Sequence, residues 1–488
     1  MAVDYDLVVI GSSWEGIYAA KNAAKLQARV ALVTQTEPTK DNKDSVFLPD
    51  DLLFNYSLAT LGKFQNLLAD NYLSYEADSF ARFSLAKADT WILDRKTAVQ
   101  SLNSLSDLAA LGVDVVVGKG QFSAAPNLAL QVKRRKLTAR RFLLATGTNF
   151  IPDFIDRKTS KNYLTLRDIP QEKLSSLPTN IIIIGGDPAA IELAQHLSLF
   201  HKKITLVVRE TRLLFREDRD LSSLMQGQLE AAGIDILVDT HISQIKTIQG
   251  RKCIQAGDRT LWADEVIVVD YRQPNIAGLN LAEVNVKCDR RRVCVNQKLE
   301  TTNPKIYACG DLIGGYSLPN IAQYEANIVL KNALFFPCYE AKYHTLPWAI
   351  LTSISLARVG LNERQARQKY PKIYVVREYF NNIVKAKILD YNPGMFKLIV
   401  TQKGKILGCS IFGDRAAELI TIPALMMQHN IKLDRNPMRG LTSLSIPHIY
   451  PSMAEIVERA SDSFYQQKIR ENPKLLNRLR SWFALRKG

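Results

Sequence analysis

Short apolar runs closed by glycine, each followed by an amphipathic stretch, organise the first half of this chain. Leu7-Val-Val-Ile10 reads as a buried strand, Gly11–Gly16 as a tight turn, Ile17–Leu26 as a helix and Arg29–Val33 as a second strand. The order returns further on: strand Ile181–Ile184, a turn opening at Gly185, helix Ala189–Phe200 and strand Ile204–Val208. Apolar strands joined through helices predict parallel βαβ units. More strands are expected at Phe142–Gly147, Trp262–Val269 and Ile306–Asp311. From Trp348 the pattern changes to short alternating strands, Lys397–Val400 and Ile406–Ile411, and then helices, an α+β arrangement with no glycine turn. Long breaks fall at Pro152–Tyr163 and Phe336–Pro347. The two βαβ units are the only internal repeat.

Composition sets the scale of this picture. A chain of 488 residues, 47% of them hydrophobic, fills about three domains. No apolar run approaches the ~18 residues of a membrane span. The N-terminus leads straight into the first strand without a basic segment, so a secretory signal is not expected. The six cysteines (Cys253, Cys288, Cys294, Cys309, Cys338, Cys409) are scattered, which suits the reducing cytoplasm. Cys288 and Cys294 read as strand residues, with a disulfide as the minority alternative. The formal charge of +16 gathers in Lys133–Lys136 with Arg140-Arg141, in Arg290–Arg292 and in the C-terminal tail. Such an excess attracts an acidic protein or an anionic membrane surface, with nucleic acid less expected, or it serves solubility alone.

Candidate chemistry begins at the two turns. A glycine turn opening a helix offers backbone N–H groups to a pyrophosphate. The first reads Gly11-Ser-Ser13-Trp-Glu-Gly16, with serine at the middle position. Ser13 is small enough to fit and can donate a hydrogen bond. No acid ends the second strand, where Thr34 and Gln35 remain to meet a ribose. A later strand closes in Ala145-Thr146-Gly147, and Thr302-Asn-Pro-Lys-Ile-Tyr-Ala-Cys-Gly310-Asp311 follows. In order and spacing these motifs resemble the flavin-dependent pyridine nucleotide–disulfide oxidoreductases, the family of lipoamide dehydrogenase, glutathione reductase and mercuric reductase, over nearly the whole chain. The resemblance implies an α/β fold with two Rossmann-like dinucleotide-binding domains and a C-terminal α+β dimerisation domain. An FAD domain (residues 1–155 and 276–342) would be split by an NAD(P)-type domain (156–275) and followed by the interface domain (343–470) and a basic tail (471–488). It also implies a homodimer. Asp311 would meet the ribityl and pyrophosphate region of FAD, Leu318 and Ala322 the flavin pyrimidine side, and Gly118-Lys-Gly120 the adenine side. The alternative is a fold that keeps its glycines for turn geometry and has lost FAD.

The second turn, Gly185-Gly-Asp187-Pro188-Ala-Ala190, carries an aspartate at its middle position. A carboxylate about 4 Å from a pyrophosphate charge opposes it by roughly 4 kcal/mol at an effective dielectric near 20, about three decades of affinity. Arg209 and Arg212 would suit a 2′-phosphate, and the strand end lacks the acid that selects NAD, so NADPH is the expected form of any nicotinamide cofactor.

The reaction centre is where the chain departs from the family. The run Asn42-Lys-Asp-Ser-Val-Phe47-Leu-Pro49 stands where the resemblance places a redox dithiol, with Asn42 and Phe47 at the two cysteine positions. Neither can attack a disulfide or contact a flavin as a thiolate. Asp50-Asp51 replaces a basic residue whose usual partner, Glu192, is kept. Either an aspartate and Glu192 form a like-charge pair near the flavin, or the loop has moved away and is solvated. The family's distal acid–base dyad becomes Tyr450-Pro451-Ser-Met-Ala-Glu455. Tyr450 is a poor base at neutral pH, and His448 is a substitute or a structural residue. Without the metal-binding head domain or a C-terminal cysteine pair, mercury reduction is not expected. The tail from Pro473 can form an amphipathic helix with Leu475, Leu479, Trp482 and Phe483 on one face, suited to a membrane interface or to docking on its own domain. Two readings follow. One is an FAD oxidoreductase that passes electrons, from NADPH for example, to a non-disulfide acceptor such as a quinone or oxygen. The other is a silent dimeric scaffold or sensor with structural FAD, a pseudoenzyme that binds a partner through its basic surface.

Overall fold

The computed structural model describes residues 3–34, 54, 56–62, 85–100, 105–152, 162–169, 174–315, 317–389, 394–433 and 448–485. Two compact units divide the chain: Met1–Thr211 with Ala232–Ala341, and Arg212–Ala231 with Lys342–Gly488.

In the first unit, β1 (Tyr5–Ile10), α1 (Trp14–Lys25) and β2 (Val30–Thr34) form the opening βαβ. With β3 (Asp114–Val117), β4 (Ala139–Leu144) and β12 (Ile306–Ala308) they build a parallel sheet of order β12-β4-β1-β2-β3. Leu7, Val8 and Val9 are fully buried because helices and loops cover both faces of the sheet, which explains the unbroken apolar run. The helix starts at Trp14, three residues before its apolar spacing begins, because Ser13 caps it. The second sheet, also parallel, has the order β9 (Asp235–Leu237), β8 (Lys203–Val207), β7 (Asn180–Ile184), β10 (Glu265–Val268) and β6 (Leu164–Thr165). Its first crossover helix is α2 (Pro188–Ser198). The run expected as one strand at Trp262–Val269 is two: Arg259–Ala263 closes an antiparallel three-stranded sheet, and β10 begins beyond Asp264. Asp264-Glu265 interrupts the apolar run at the junction, and Arg259–Ala263 is mostly exposed while residues 266–268 are buried, so the change of sheet falls where burial changes.

A short antiparallel pair, β5 (Thr148–Phe150) with β11 (Arg272–Pro274), follows the carboxyl ends of β4 and β10. Helix α3 (Pro319–Leu334) closes the unit and packs on α1.

The second unit is built on an antiparallel sheet of order β13 (Trp348–Ile350), β14 (Ser355–Gly360), β17 (Ile406–Gly413), β16 (Met395–Thr401) and β15 (Ile373–Tyr379). Helix α4 (Glu363–Lys369) follows β14, and α5 (Glu455–Arg470) covers β15, with Phe464 edge-on to Tyr374 at 5.4 Å between ring centres. Helix α6 (Pro473–Leu485) comes last. Residues Arg212–Ala231, inside the inserted segment by sequence, fold with this unit. Lys397 explains it: its Nζ, almost fully buried, lies 2.9 Å from Asp218, Asp220 and Glu363, so the helix Arg219–Ala231 and the residue before it are tied to β16.

Candidate functional site

The carboxyl ends of β1, β4 and β12 meet at the first glycine turn, the place where open parallel sheets take ligands. Gly11 has φ +110°, and a Cβ there would stand 2.1 Å from the Ala145 carbonyl oxygen; at Gly16 it would stand 2.3 Å from the Gly11 oxygen. Both positions therefore exclude any side chain. Ser13 does not point its hydroxyl to a ligand as expected. It donates to the Ala145 carbonyl at 2.8 Å and accepts from Gly16 N–H at 3.4 Å, closing the turn on itself. Thr34 bonds Ser12 at 2.9 Å, and its carbonyl accepts from Gly118 N–H, so the Gly118–Gly120 loop stands beside the end of β2. Gly120 itself packs on Leu130, where a Cβ would meet that side chain at 3.1 Å.

Gly310 sits opposite, with its N–H on the buried carboxylate of Glu325 at 2.7 Å. Asp311 accepts from Ser317 at 2.6 Å, just ahead of α3, whose first turn carries Leu318 at the cap and Ala322 buried. Gly147 (φ +64°) begins β5's approach. Gly11, Ser13, Gly16, Ala145, Thr146, Gly310 and Asp311 are thus brought together. The sequence reading missed Glu15 and Trp14. Glu15 is buried against Gly310, and burial, then the Asp311 charge, push its carboxyl up to about 8. It is neutral at pH 7 and adds no charge to the turn. Trp14 Nε1 and Thr146 Oγ1 are buried without a hydrogen-bond partner. A glycine turn at a helix start, a neutral acid and two unused polar groups fit the phosphate and ribityl portions of FAD.

The second turn has the same frame and a different content. Gly185 (φ +152°) and Ala190 close against each other, and Asp187 precedes α2 with no side-chain capping bond. Asp187 instead lies 4.0 Å from Arg272, whose other terminal nitrogen is 3.9 Å from Asp311. Asp270, after β10, accepts from Gly186 N–H at 3.3 Å. Burial, then the charge of Asp187, push the Asp270 carboxyl up to about 7. The strand end does hold an acid, correcting the sequence expectation. Glu210 follows Arg209, which it pairs at 3.2 Å, and its carboxylate stands 3.3 Å from where a Gly186 Cβ would be. It was missed because β8 stops at Val207 and the chain then turns back over Gly186. Arg212 is no phosphate ligand, since it donates to the carbonyls of Leu214, Phe215 and Glu217. With carboxylates from three segments around it, this turn opposes a dinucleotide pyrophosphate while Asp270 is charged.

Glu192 on α2 lies near Tyr56, whose hydroxyl is raised by burial and by that charge. Asn42, Phe47, Asp50 and Asp51 lie outside the described residues. In the second unit Tyr450 is exposed, and Glu455 pairs with Arg459 at 2.7 Å, so no bond joins Tyr450 to Glu455. His448 Nδ1 lies 3.4 Å from Glu458. All six cysteines are free thiols.

This architecture defines a class of proteins with two dinucleotide-type sites and a separate C-terminal unit. The chain matches the pyridine nucleotide-disulphide oxidoreductase model over residues 5–326 and the dimerisation domain of that family over residues 346–461. It belongs to the pyridine nucleotide-disulphide oxidoreductase family. Members of the family bind FAD, use NAD(P)H as a substrate and form homodimers. A mercuric reductase of Staphylococcus aureus is 26% identical over 94% of this chain and 82% of its own length. The probable pyridine nucleotide-disulfide oxidoreductase RclA of Escherichia coli is 25% identical over 92% and 97%. A dihydrolipoyl dehydrogenase of Bacillus subtilis is 30% identical over 54% and 57%. Among solved structures, LpdA of Mycobacterium tuberculosis has a TM-score of 0.78 at 18% identity, covering 93% of this chain and 98% of that one. The HOCl-induced flavoprotein disulfide reductase RclA has a TM-score of 0.76 at 23% identity, covering 94% and 99%. No helix among the described residues is long and apolar enough to cross a membrane.

Proposed function

We propose that this chain is an FAD flavoprotein that does not reduce disulfides and passes electrons to an acceptor without a disulfide bond. The observation that carries this reading is a first dinucleotide site complete in its turn, joined to a sequence with no cysteine ahead of Cys253. Disulfide exchange requires a thiolate beside the flavin, and Asn42 and Phe47 supply none. The backbone N–H groups of the Gly11–Gly16 turn would hold the pyrophosphate, with Asp311, Trp14 and Thr146 around it and Glu15 uncharged. Bound there, FAD would supply electron transfer at its ring system; the chain's own residues bind it, and protonated Glu15 adds no charge to the turn.

The test is a visible spectrum of the purified full chain, followed by anaerobic addition of a chemical reductant. A flavin band that bleaches without the long-wavelength absorbance of a thiolate–flavin contact is expected. Protein that stays colourless after incubation with FAD, or that reduces lipoamide or glutathione disulfide, sinks the reading.

The silent scaffold remains a second reading, favoured by one observation: the carboxylates Asp187, Asp270 and Glu210 around the second turn, which oppose the family's electron donor. In either reading the partner surface is the tail. Lys474, Arg478, Arg480, Trp482, Phe483 and Leu485 are all exposed on α6, which suits an anionic interface.

A further inference from the structure

The two dinucleotide turns can be compared residue by residue within this one chain. Ala145 N–H donates to the Ile10 carbonyl beside the first turn, and Val269 N–H donates to the Ile184 carbonyl beside the second. Ala145 therefore corresponds to Val269, Thr146 to Asp270 and Gly147 to Tyr271. The backbone agrees, since Gly147 has φ +64° and Tyr271 has φ +65°. At the position after the strand end, the first site holds Thr146, a neutral side chain with its hydroxyl unused. The second holds Asp270, whose carboxylate takes the Gly186 N–H at 3.3 Å and stands 3.1 Å from where a Gly185 Cβ would be. The carboxylate therefore takes up one of the N–H groups of the turn, a group that an anion bound there would use.

We propose that Asp270 occupies the anion-binding turn of the second site from within, so that its carboxylate and the pyrophosphate of a nicotinamide dinucleotide compete for one place. The inference rests on the second turn alone and does not require that FAD be bound at the first. Every charged group facing Asp270 bears on the competition. Asp187 ahead of α2 and Glu210 beyond β8 add negative charge, while Arg272 on β11 and Arg209 beside Glu210 oppose it. Arg272 is shared between Asp187 and Asp311 and Arg209 pairs with Glu210, while Asp270 is the acid that bonds a backbone N–H of the turn. Since burial and Asp187 hold the Asp270 carboxyl up to about 7, the competitor is neutral in mildly acidic solution and charged in mildly basic solution. The turn is thus open to a dinucleotide below neutral pH and closed above it.

Calorimetric titration of the purified full chain with NADH and, separately, with NADPH tests this at about pH 6 and about pH 8.5. Affinity for whichever nucleotide binds is expected to weaken toward about tenfold per pH unit above neutrality, the slope of one titrating group. Asp270→Asn, and Asp270→Thr, which copies the first site, are expected to remove that dependence and to bind at least about tenfold more tightly at about pH 8.5. Asp187→Gly is expected to tighten binding and to move the pH dependence to lower pH, because the Asp187 charge is one of the causes that raise the Asp270 carboxyl. Pairing of equal affinity at both pH values in the unmodified chain overturns the proposal without any variant. So does failure of both Asp270 variants to gain affinity while their thermal midpoints and circular dichroism match the parent. A chain without flavin would leave these titrations readable, so loss of the FAD reading and loss of this one are distinguishable.

Discussion

Glu15 has the place of a residue that a phosphate-binding turn would be expected to keep apolar or small, and its burial decides what it does there. An acid whose carboxyl is raised in the folded state is protonated up to a higher pH than in the unfolded chain, so its contribution to stability declines as pH rises from its ordinary value toward about 8. Each unit of such a rise corresponds to about 1.4 kcal/mol. Glu15→Gln removes the penalty: its midpoint of thermal unfolding is expected to exceed that of the parent at about pH 8 and to approach it below about pH 4, where the Glu15 carboxyl is protonated in the folded and unfolded chain alike. A midpoint difference that stays constant with pH would show that the carboxyl titrates normally. Gly11→Ala works on the same turn through sterics. With φ +110° and the Ala145 oxygen 2.1 Å from the added carbon, the strand β4 must shift. The expected result is protein that fails to retain FAD through gel filtration, or that unfolds with a loss of several kcal/mol, on the order of the strain and overpacking values.

At the scale of elements, the segment Arg212–Ala231 is the clearest case of structure that the sequence did not announce. The helix there, Arg219–Ala231, shows nothing of its allegiance in the sequence, because the deciding group is one lysine far away in the chain. Lys397 interrupts an apolar strand, Met395–Thr401, and is almost fully buried between three carboxylates. Lys397→Met leaves Asp218, Asp220 and Glu363 close together with only Arg377 and Arg367 to balance them, and a loss of about 3–5 kcal/mol is expected in urea unfolding. The same cluster sets an acid limit. Glu363 is held down to about 2 by hydrogen bonds from Lys397 and Arg367 that outweigh its burial, so its contribution is present above the usual glutamate range and is lost as pH falls toward 2. By contrast the strand positions of both βαβ units were legible, since burial on two faces demands the continuous runs Leu7–Ile10 and Ile181–Ile184. Helix starts were legible only to within a turn: Ser13 caps α1 through a side-chain bond that apolar spacing does not record. Glu210 and Asp270 were not legible as site residues at all. Each reaches its turn through the path of the backbone after a strand end, and no spacing rule describes that path.

At the scale of the whole chain, the family frame with its two dinucleotide-type turns is kept, and the formal charge of +16 is spread over several basic clusters and the tail. The internal basic clusters are interleaved with acids: Arg292 pairs with Asp289, Arg140 with Asp6 and Arg135 with Asp114. Such exposed pairs are worth little to stability. The tail is different. Beyond Glu471 it has Lys474, Arg478, Arg480, Arg486 and Lys487 and no acid, and α6 lies outside the residues 346–461 that match the family's dimerisation domain. Each basic residue near an anionic bilayer contributes about 1 kcal/mol, and Trp482, Phe483 and Leu485 supply apolar area to the same surface. The full chain is therefore expected to co-sediment with vesicles containing phosphatidylserine and to stay in solution with pure phosphatidylcholine, and deletion of 471–488 is expected to abolish sedimentation while flavin content and dimer mass are retained. Trp482→Ala with Phe483→Ala should weaken binding by roughly tenfold or more, since two buried aromatic side chains contribute a few kcal/mol of apolar transfer. Sedimentation with neither vesicle type would assign the basic tail to an acidic protein or to solubility and remove the membrane from the description of this chain, and sedimentation with both would show binding that the basic charge does not govern.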